Sequence, residues 1–234
     1  MNEKILGILG GMGIDVTAEF LARIIDITGA KKEQDNIPII INHNPKIADR
    51  TQAIVYGGED PLPLLKSSLE VLVKAGVDFI AIPCNTAHYY YDKMQRDTPV
   101  PIIHMIKEVV AKCLTIRKDV KAVGLLATTG TVNTELYQNK FVERDIKVIL
   151  PDDNDQAVVM NSIMRIKSRV DIEDVKKRLI GIAHELIACH ARIIVIGCTD
   201  ISLIIKEDDL EVPIVDSLSV LADRTVQMAL GKGK

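Results

Sequence analysis

Residues 4–13 read Lys-Ile-Leu-Gly-Ile-Leu-Gly-Gly-Met-Gly, and residues 121–131 read Lys-Ala-Val-Gly-Leu-Leu-Ala-Thr-Thr-Gly-Thr. Each stretch is a short apolar run that ends in small residues, which is typical of a buried parallel strand followed by a turn. A cysteine follows each stretch at a similar distance, with 77 residues from Gly7 to Cys84 and 74 residues from Gly124 to Cys198. The chain therefore contains two halves of similar layout.

The two cysteines occupy equivalent places in these halves. Cys84 follows Phe-Ile-Ala-Ile-Pro and precedes Asn-Thr-Ala, whereas Cys198 follows Ile-Val-Ile-Gly and precedes Thr-Asp-Ile. A Val-Pro-Ile segment comes after each, at 100–102 and at 212–214. The pattern predicts that each cysteine stands at the carboxyl end of a strand and before a helix.

Apolar runs without alternation occur between amphipathic stretches of helical period along the whole chain. One helical stripe comprises Met105, Ile106, Val109, Val110, Cys113 and Leu114, and another comprises Val175, Leu179, Ile182, Leu186 and Cys189. Alternating strands and helices predict an α/β fold. We expect two pseudo-symmetric α/β domains, each with a mostly parallel four-stranded sheet flanked by helices, and an active site in the cleft between them. The first domain comprises 1–104 and 213–234, with 213–215 as a return strand that completes its sheet, and the second comprises 105–212.

Composition excludes several classes of protein. The net charge is −3, with 47% hydrophobic and 26% charged residues, which is ordinary for a packed globular chain and not for a disordered one. The absence of a basic block argues against nucleic acid, and apolar runs such as 193–196 are too short to span a membrane. No signal peptide is recognised, so we expect a cytoplasmic protein whose four cysteines are free thiols.

Two thiols at the carboxyl edges of parallel sheets suit one kind of chemistry. Ligands of open α/β sheets bind at that edge, and a helix N-terminus favours a thiolate. A thiolate that removes a proton from a stereocentre, with a thiol that returns one on the opposite face, inverts the configuration of that carbon. Cys84 and Cys198 are therefore candidate acid–base catalysts, whereas Cys113 and Cys189 are expected in the core.

Five motifs resemble the Asp/Glu racemase family, which works without pyridoxal phosphate. They are Gly-Gly-Met-Gly at 10–13, Asn-Pro-Lys-Ile-Ala-Asp-Arg-Thr at 44–51, Pro-Cys-Asn-Thr-Ala-His at 83–88, Ala-Thr-Thr-Gly-Thr at 127–131 and Gly-Cys-Thr-Asp at 197–200. The resemblance implies an aspartate racemase without a cofactor or a metal, acting on an acidic amino acid, and a homodimer.

The resemblance also implies roles for individual residues. Cys84 and Cys198 would be the catalytic bases, and Arg50 and Lys167 would hold the substrate carboxylates, since two separated cations suit a dianionic substrate. The other substrate contacts that it implies are Met12, Asn85, Thr86, Thr128 and Thr199.

Three positions depart from the family pattern, and alternatives remain open. Asp200 stands where the family usually has Glu, Ile14-Asp15 stands where many members have Pro, and Ala48 replaces a common Pro. The alternatives are a racemase for glutamate or a hydantoin, an inactive carboxylate-binding relative and a thiol redox sensor. His88 is four residues after Cys84, but a zinc site needs further ligands, so we expect His88 to pack or cap near the site.

Overall fold

The computed structural model describes residues 4–231 of the 234-residue chain, which divides into two compact units. The first unit comprises the chain up to Met105 together with the segment from Leu218 onward, and the second comprises Ile106–Ser217. No helix of residues 4–231 combines the length and the apolar character needed to cross a membrane.

Helices and strands alternate along the chain as the hydrophobic pattern predicts. The strands are β1 Leu6–Gly10, β2 Ile39–His43, β3 Phe79–Ala81, β4 Ala122–Ala127, β5 Lys147–Ile149, β6 Ile194–Gly197 and β7 Ile214–Asp216. The α-helices are α1 Ile14–Thr28, α2 Arg50–Tyr56, α3 Leu62–Lys74, α4 Tyr91–Arg96, α5 Met105–Ile116, α6 Thr129–Asn133, α7 Leu136–Val142, α8 Asp153–Lys167, α9 Ile172–Ala188 and α10 Ser217–Ala229. The predicted α/β class is confirmed.

The first unit is built on a parallel sheet of order β2-β1-β3. Leu6 pairs with Ile39 on one side and with Phe79 on the other, so β1 is central and its five residues are all buried. A continuous apolar run suits this place because both faces of a central parallel strand are covered by helices. The fourth strand expected here is reduced to one parallel bridge between Ile80 and Ile102.

The second unit contains a four-stranded parallel sheet of order β5-β4-β6-β7. Central strand β4 pairs with β6 through Gly124–Ile194 to Ala127–Gly197, as β1 pairs with β3 in the first unit. In each unit the strand beside the central one leads to a cysteine. The internal repeat seen in the sequence is therefore a repeat of sheet layout.

The segment 213–215 does not complete the first sheet, and that expectation is wrong. Strand β7 pairs with β6 through Ile194–Ile214 and Val195–Val215, in the second sheet. The two Val-Pro-Ile segments behave alike, because Ile102 lies beside Ile80 and Ile214 lies beside Ile194. Each segment borders the strand that precedes its own cysteine.

Apolar side chains from the helices cover each sheet and form a separate core in each unit. The first core contains Leu9, Leu69, Ile80 and Met94, and the second contains Leu126, Val175, Leu179 and Ile196. The stripe on α5 is buried as predicted, including Cys113, except that Leu114 at its end is only partly buried. Cys189 is exposed, contrary to expectation, because α9 ends at Ala188 and the buried stripe ends at Leu186.

Candidate active site

Cys84 lies just beyond the carboxyl end of β3 and is buried, with 6% of its surface exposed. The helix expected after it is a 3-10 turn, Thr86–Tyr90, that continues into α4. Its backbone is held by His88, whose Nδ1 lies 2.9 Å from the carbonyl oxygen of Cys84. Since a carbonyl only accepts, Nδ1 carries the proton, and Nε2 accepts a hydrogen bond from the Met105 amide at 3.1 Å.

His88 is therefore a neutral structural residue, as the sequence led us to expect. Burial lowers the pKa of its imidazole, and the hydrogen bond to the Cys84 carbonyl offsets this only in part. A neutral ring with one donor and one acceptor matches the two backbone groups that it bridges. His88 thus fixes the backbone that carries Cys84.

Arg50 is the first residue of α2, the helix that follows the carboxyl end of β2 after a short loop. Its guanidinium is buried, with 8% of the residue exposed. Nη1 donates to the carbonyls of Ala48 at 3.0 Å and Ile47 at 3.4 Å, and buried Nε has no hydrogen-bond partner among residues 4–231. Asp49 caps the helix by accepting from the Gln52 amide at 2.8 Å, which fixes the start of α2.

No carboxylate within residues 4–231 lies within ion-pair distance of Arg50. Burial, Asp60 and Tyr89 raise the pKa of Tyr90, while the Arg50 guanidinium lowers it in part, so this cation lies near the turn that follows Cys84. A buried cation without a counter-ion is costly. The side chain is accordingly suited to an anionic ligand.

The glycine turn after β1 lies at the same edge of the first sheet. Gly11 has φ of +94°, and a Cβ there would come within 2.4 Å of the backbone of Asn44. Only glycine allows this close approach of the β1 and β2 loops. Met12 follows in the turn, buried in the same apolar cluster as Cys84, and Asn85 and Thr86 are buried beside Cys84 in sequence.

Cys198 directly follows β6 in the second unit and is 5% exposed. Its thiol donates to Oδ2 of buried Asp200 across 3.7 Å. The ammonium of Lys167 lies 3.8 Å from that same oxygen, with 30% of its side chain exposed. Cys198, Asp200 and Lys167 therefore form one charged cluster at the carboxyl edge of the second sheet.

This cluster does not favour a thiolate, contrary to the expectation from a helix N-terminus. Burial and then the Asp200 carboxylate raise the pKa of the Cys198 thiol well above its ordinary value, and Lys167 and the amides of Asp200 and Ile201 offset this in part. The helix start is only the 3-10 turn Ile201–Leu203. The geometry thus keeps Cys198 protonated.

Helix α8 crosses the carboxyl edge of the second sheet. Near its start, Gln156 Nε2 donates to the carbonyl of Ala127, the last residue of β4, at 3.1 Å. At its end, Lys167 reaches Asp200 beyond β6. Between them, Met160 Sδ accepts from the amide of Thr129 at 3.1 Å. Gln156 and Met160 were not found from the sequence, because their spacing on α8 gives no sign of what the helix crosses.

The remaining predicted contacts of the second unit lie at this edge. Thr128 caps α6 by accepting from the Thr131 amide at 3.1 Å, and it is 8% exposed. Thr199 is buried between Cys198 and Asp200 in sequence. Each unit therefore gathers its own share of the predicted residues: Met12, Arg50, Cys84, Asn85 and Thr86 in the first, and Thr128, Lys167, Cys198 and Thr199 in the second. Among residues 4–231, no three His, Cys, Asp or Glu side chains are grouped to hold a metal ion.

Comparison with known proteins agrees with this arrangement. The fold, two parallel sheets flanked by helices, is that of the two-domain amino-acid racemases. The profile of the Asp/Glu/hydantoin racemase family matches residues 9–225, and the chain belongs to that family.

Three relatives illustrate the range of the family. A broad-specificity amino-acid racemase of Bacillus subtilis is 32% identical over 231 residues, covering 96% of this chain and 98% of the relative. The structure of an aspartate racemase from Picrophilus torridus has a TM-score of 0.82 at 28% identity, covering 97% of this chain and 94% of the other. An aspartate racemase homologue from Pyrococcus horikoshii shares the fold, with a TM-score of 0.79, 23% identity, and coverage of 97% and 99%. The chain is thus an amino-acid racemase by family.

Proposed function

We propose that the protein interconverts L- and D-aspartate without a cofactor, using Cys84 and Cys198 as the two acid–base groups. Arg50 is the main support for an acidic substrate. Among residues 4–231 its buried guanidinium has an Nε without a hydrogen-bond partner and no carboxylate within ion-pair distance. A carboxylate that entered this site would supply the missing counter-charge and accept from Nε. The aspartate racemase from Picrophilus torridus, 28% identical, supports the choice of aspartate.

The proposed mechanism uses one thiol from each unit on the same α-carbon. For one enantiomer, Cys84 as a thiolate removes the α-proton, and the Cys198 thiol delivers its proton to the opposite face. Cys84 then holds the thiol and Cys198 the thiolate, so the reverse reaction uses the same groups in exchanged roles. The contact between Cys198 and Asp200 supports Cys198 as the proton donor in the resting protein.

A racemase of broad specificity is the second candidate, and the position of Lys167 favours it. The ammonium of Lys167 already lies 3.8 Å from Asp200, so Asp200 competes with a second substrate carboxylate for this cation. A substrate with only one carboxylate would then bind almost as tightly as one with two. The 32% identical racemase from Bacillus subtilis is itself described as broad in specificity.

The test is proton exchange at the α-carbon. Purified protein without pyridoxal phosphate is incubated with L-aspartate in D₂O, and the α-proton signal and the optical rotation are followed together. We expect both to decay, and we expect Cys84→Ala and Cys198→Ala each to lower the rate at least about 100-fold, the size typical of general acid–base groups. The exposed Cys189→Ala is the matched control and should keep full activity.

The outcomes separate the candidates. Equal rates on aspartate, glutamate and lysine would replace aspartate by the broad-specificity assignment. A Cys198→Ala variant with near-normal turnover would overturn the two-base mechanism. A folded protein that binds aspartate but leaves the α-proton in place would be a carboxylate-binding relative and not a racemase.

A further inference from the structure

The turn that follows Cys198 determines the surroundings of its thiol. The thiol donates to Oδ2 of Asp200 across 3.7 Å, and the amides of Asp200 and Ile201 are within hydrogen-bonding reach of the sulfur. The turn is a 3-10 helix of only three residues, Ile201–Leu203, and Asp200 before it makes no capping hydrogen bond to it. So short a helix has little stability of its own, because few hydrogen bonds offset the cost of fixing the backbone. Its position therefore depends on contacts with the rest of the unit.

One such contact joins the turn to the neighbouring strand. Ser202 is completely buried, and its Oγ donates to Oδ1 of Asp216, the last residue of β7. Asp216 pairs with Ile196 of β6, two residues before Cys198. The hydrogen bond therefore closes a loop that leaves β6, passes through Cys198 and the turn, and returns beside β6. A hydrogen bond to a carboxylate suits this role, since it is stronger than one between neutral groups.

The first unit has a tie at the equivalent place. Ser202 is four residues after Cys198. His88 has the same place after Cys84, and it accepts a hydrogen bond from the Met105 amide at 3.1 Å. This amide lies just beyond the parallel bridge of the first sheet, in the segment that corresponds to β7. Since the chemistry of the two ties differs and their place does not, the tie belongs to the layout of the cysteine site.

We propose that Ser202 and Asp216 are positioning residues for proton transfer by Cys198, because their hydrogen bond holds the turn and keeps the thiol in its place at the end of β6. This inference rests on the proposed function. Proton transfer needs the acid or base within hydrogen-bonding reach of the reacting atom. A displacement of about 1 Å can lower a rate about 100-fold even when the change is made away from the reacting atoms. Neither residue needs to touch the substrate.

The experiment removes the hydrogen bond from either side and measures the racemisation of L-aspartate by the full-length protein. In Ser202→Ala and in Asp216→Ala we expect kcat to fall at least about tenfold while KM changes less than about threefold, because the turn carries a reacting group. Asp216→Asn keeps an acceptor oxygen for Ser202 and should retain most of kcat. Thr225→Val is the matched control, since it removes a buried hydroxyl that donates to the Leu221 carbonyl within α10, and it should keep full activity.

The double variant of Ser202→Ala with Asp216→Ala shows whether the two residues act through one contact. If they act through their mutual hydrogen bond, the double variant should be no slower than Asp216→Ala alone, because the bond is already lost there.

Alkylation by iodoacetamide distinguishes a local change at the turn from a loss of stability. In Ser202→Ala we expect Cys198 to react at least about threefold faster relative to exposed Cys189, because the turn opens locally. Buried Cys113 should react no faster than in the unchanged protein.

Each outcome decides between the claims. If Ser202→Ala keeps the kcat of the unchanged protein, or if the two single effects multiply in the double variant, the inference is overturned while the proposed function stands. If Cys113 and Cys198 become reactive together, the two residues support the fold of the unit, and the inference is again overturned. If the unchanged protein leaves the α-proton of L-aspartate in place, the proposed function and the inference fail together. A loss of kcat that both alanine variants share, with Cys113 protected and Asp216→Asn active, supports the positioning role.

Discussion

The Asp200 carboxylate is expected to suppress the reactivity of Cys198, and Asp200→Asn tests this directly. The thiol sulfur and Oδ2 are 3.7 Å apart, and both residues are buried. Two unit charges about 4 Å apart interact by about 4 kcal/mol at an effective dielectric constant of about 20. Lys167, 3.8 Å from the same oxygen, offsets much of this. A net repulsion of about 1.4 to 2.8 kcal/mol between the carboxylate and the Cys198 thiolate then remains. Its removal in Asp200→Asn corresponds to about 10- to 100-fold more thiolate at a fixed pH.

The assay is alkylation by iodoacetamide between pH 7 and pH 9, followed for each cysteine by mass spectrometry of its peptide. Exposed Cys189 is an internal reference in every sample, and buried Cys113 reports any unfolding. We expect Cys198 in Asp200→Asn to react about tenfold faster or more relative to Cys189. Asp200→Glu, which keeps the charge, is the matched control and should remain slow. An unchanged ratio in Asp200→Asn across the pH range would refute the electrostatic argument.

Three further predictions concern the scaffold of the site. Burial lowers the pKa of His88 in the folded protein, so at a pH below about 6.5 the unfolded chain binds more protons at this residue than the folded one. The free energy of unfolding should therefore fall as the pH drops below about 6.5. Urea unfolding between about pH 5 and 7 should show a smaller fall in His88→Gln than in the unchanged protein. Gly11→Ala should lower the free energy of unfolding by at least about 2 kcal/mol, because it combines a positive φ with a backbone clash. Gly181 lies in open space within α9, so Gly181→Ala should raise the free energy of unfolding by about 0.5–1 kcal/mol. Thermal unfolding of the two variants tests both changes. Asp49→Ala should lower the free energy of unfolding by about 1 kcal/mol and weaken L-aspartate binding, because Arg50 loses its fixed place at the start of α2. Asp49→Asn keeps the cap and should change neither quantity. Equal binding of L-aspartate by the two variants in calorimetry would contradict this prediction.

Much of the fold was predictable because its signals are local. Continuous apolar runs predict buried parallel strands, and the repeated spacing from Gly7 to Cys84 and from Gly124 to Cys198 predicts two similar sheets. The buried stripe of α5 follows from helical period alone. The two cysteines could also be named in advance, since each follows a strand at the edge where α/β sheets bind ligands, whereas the residues expected around them came from the resemblance to the racemase family.

Other features depend on contacts between distant segments. A short apolar strand such as Ile214–Asp216 satisfies its hydrogen bonds at any open sheet edge, so its sequence does not tell which sheet it joins. Cys189 continues an apolar spacing, yet α9 ends one residue before it and leaves it exposed. Periodicity describes a helix but does not locate its last turn.

The sequence by itself determined the α/β class, the internal repeat and the two cysteines at strand ends, because these depend on residue order and hydrophobic period. Only the tertiary structure decided that Arg50 is a buried cation without a carboxylate partner among residues 4–231, that Asp200 meets the thiol of Cys198, and that α8 brings Gln156 to the end of β4. The reason is physical. Charge, burial and hydrogen bonding at these positions are set by neighbours that are distant along the chain, and a single sequence does not record which neighbours meet.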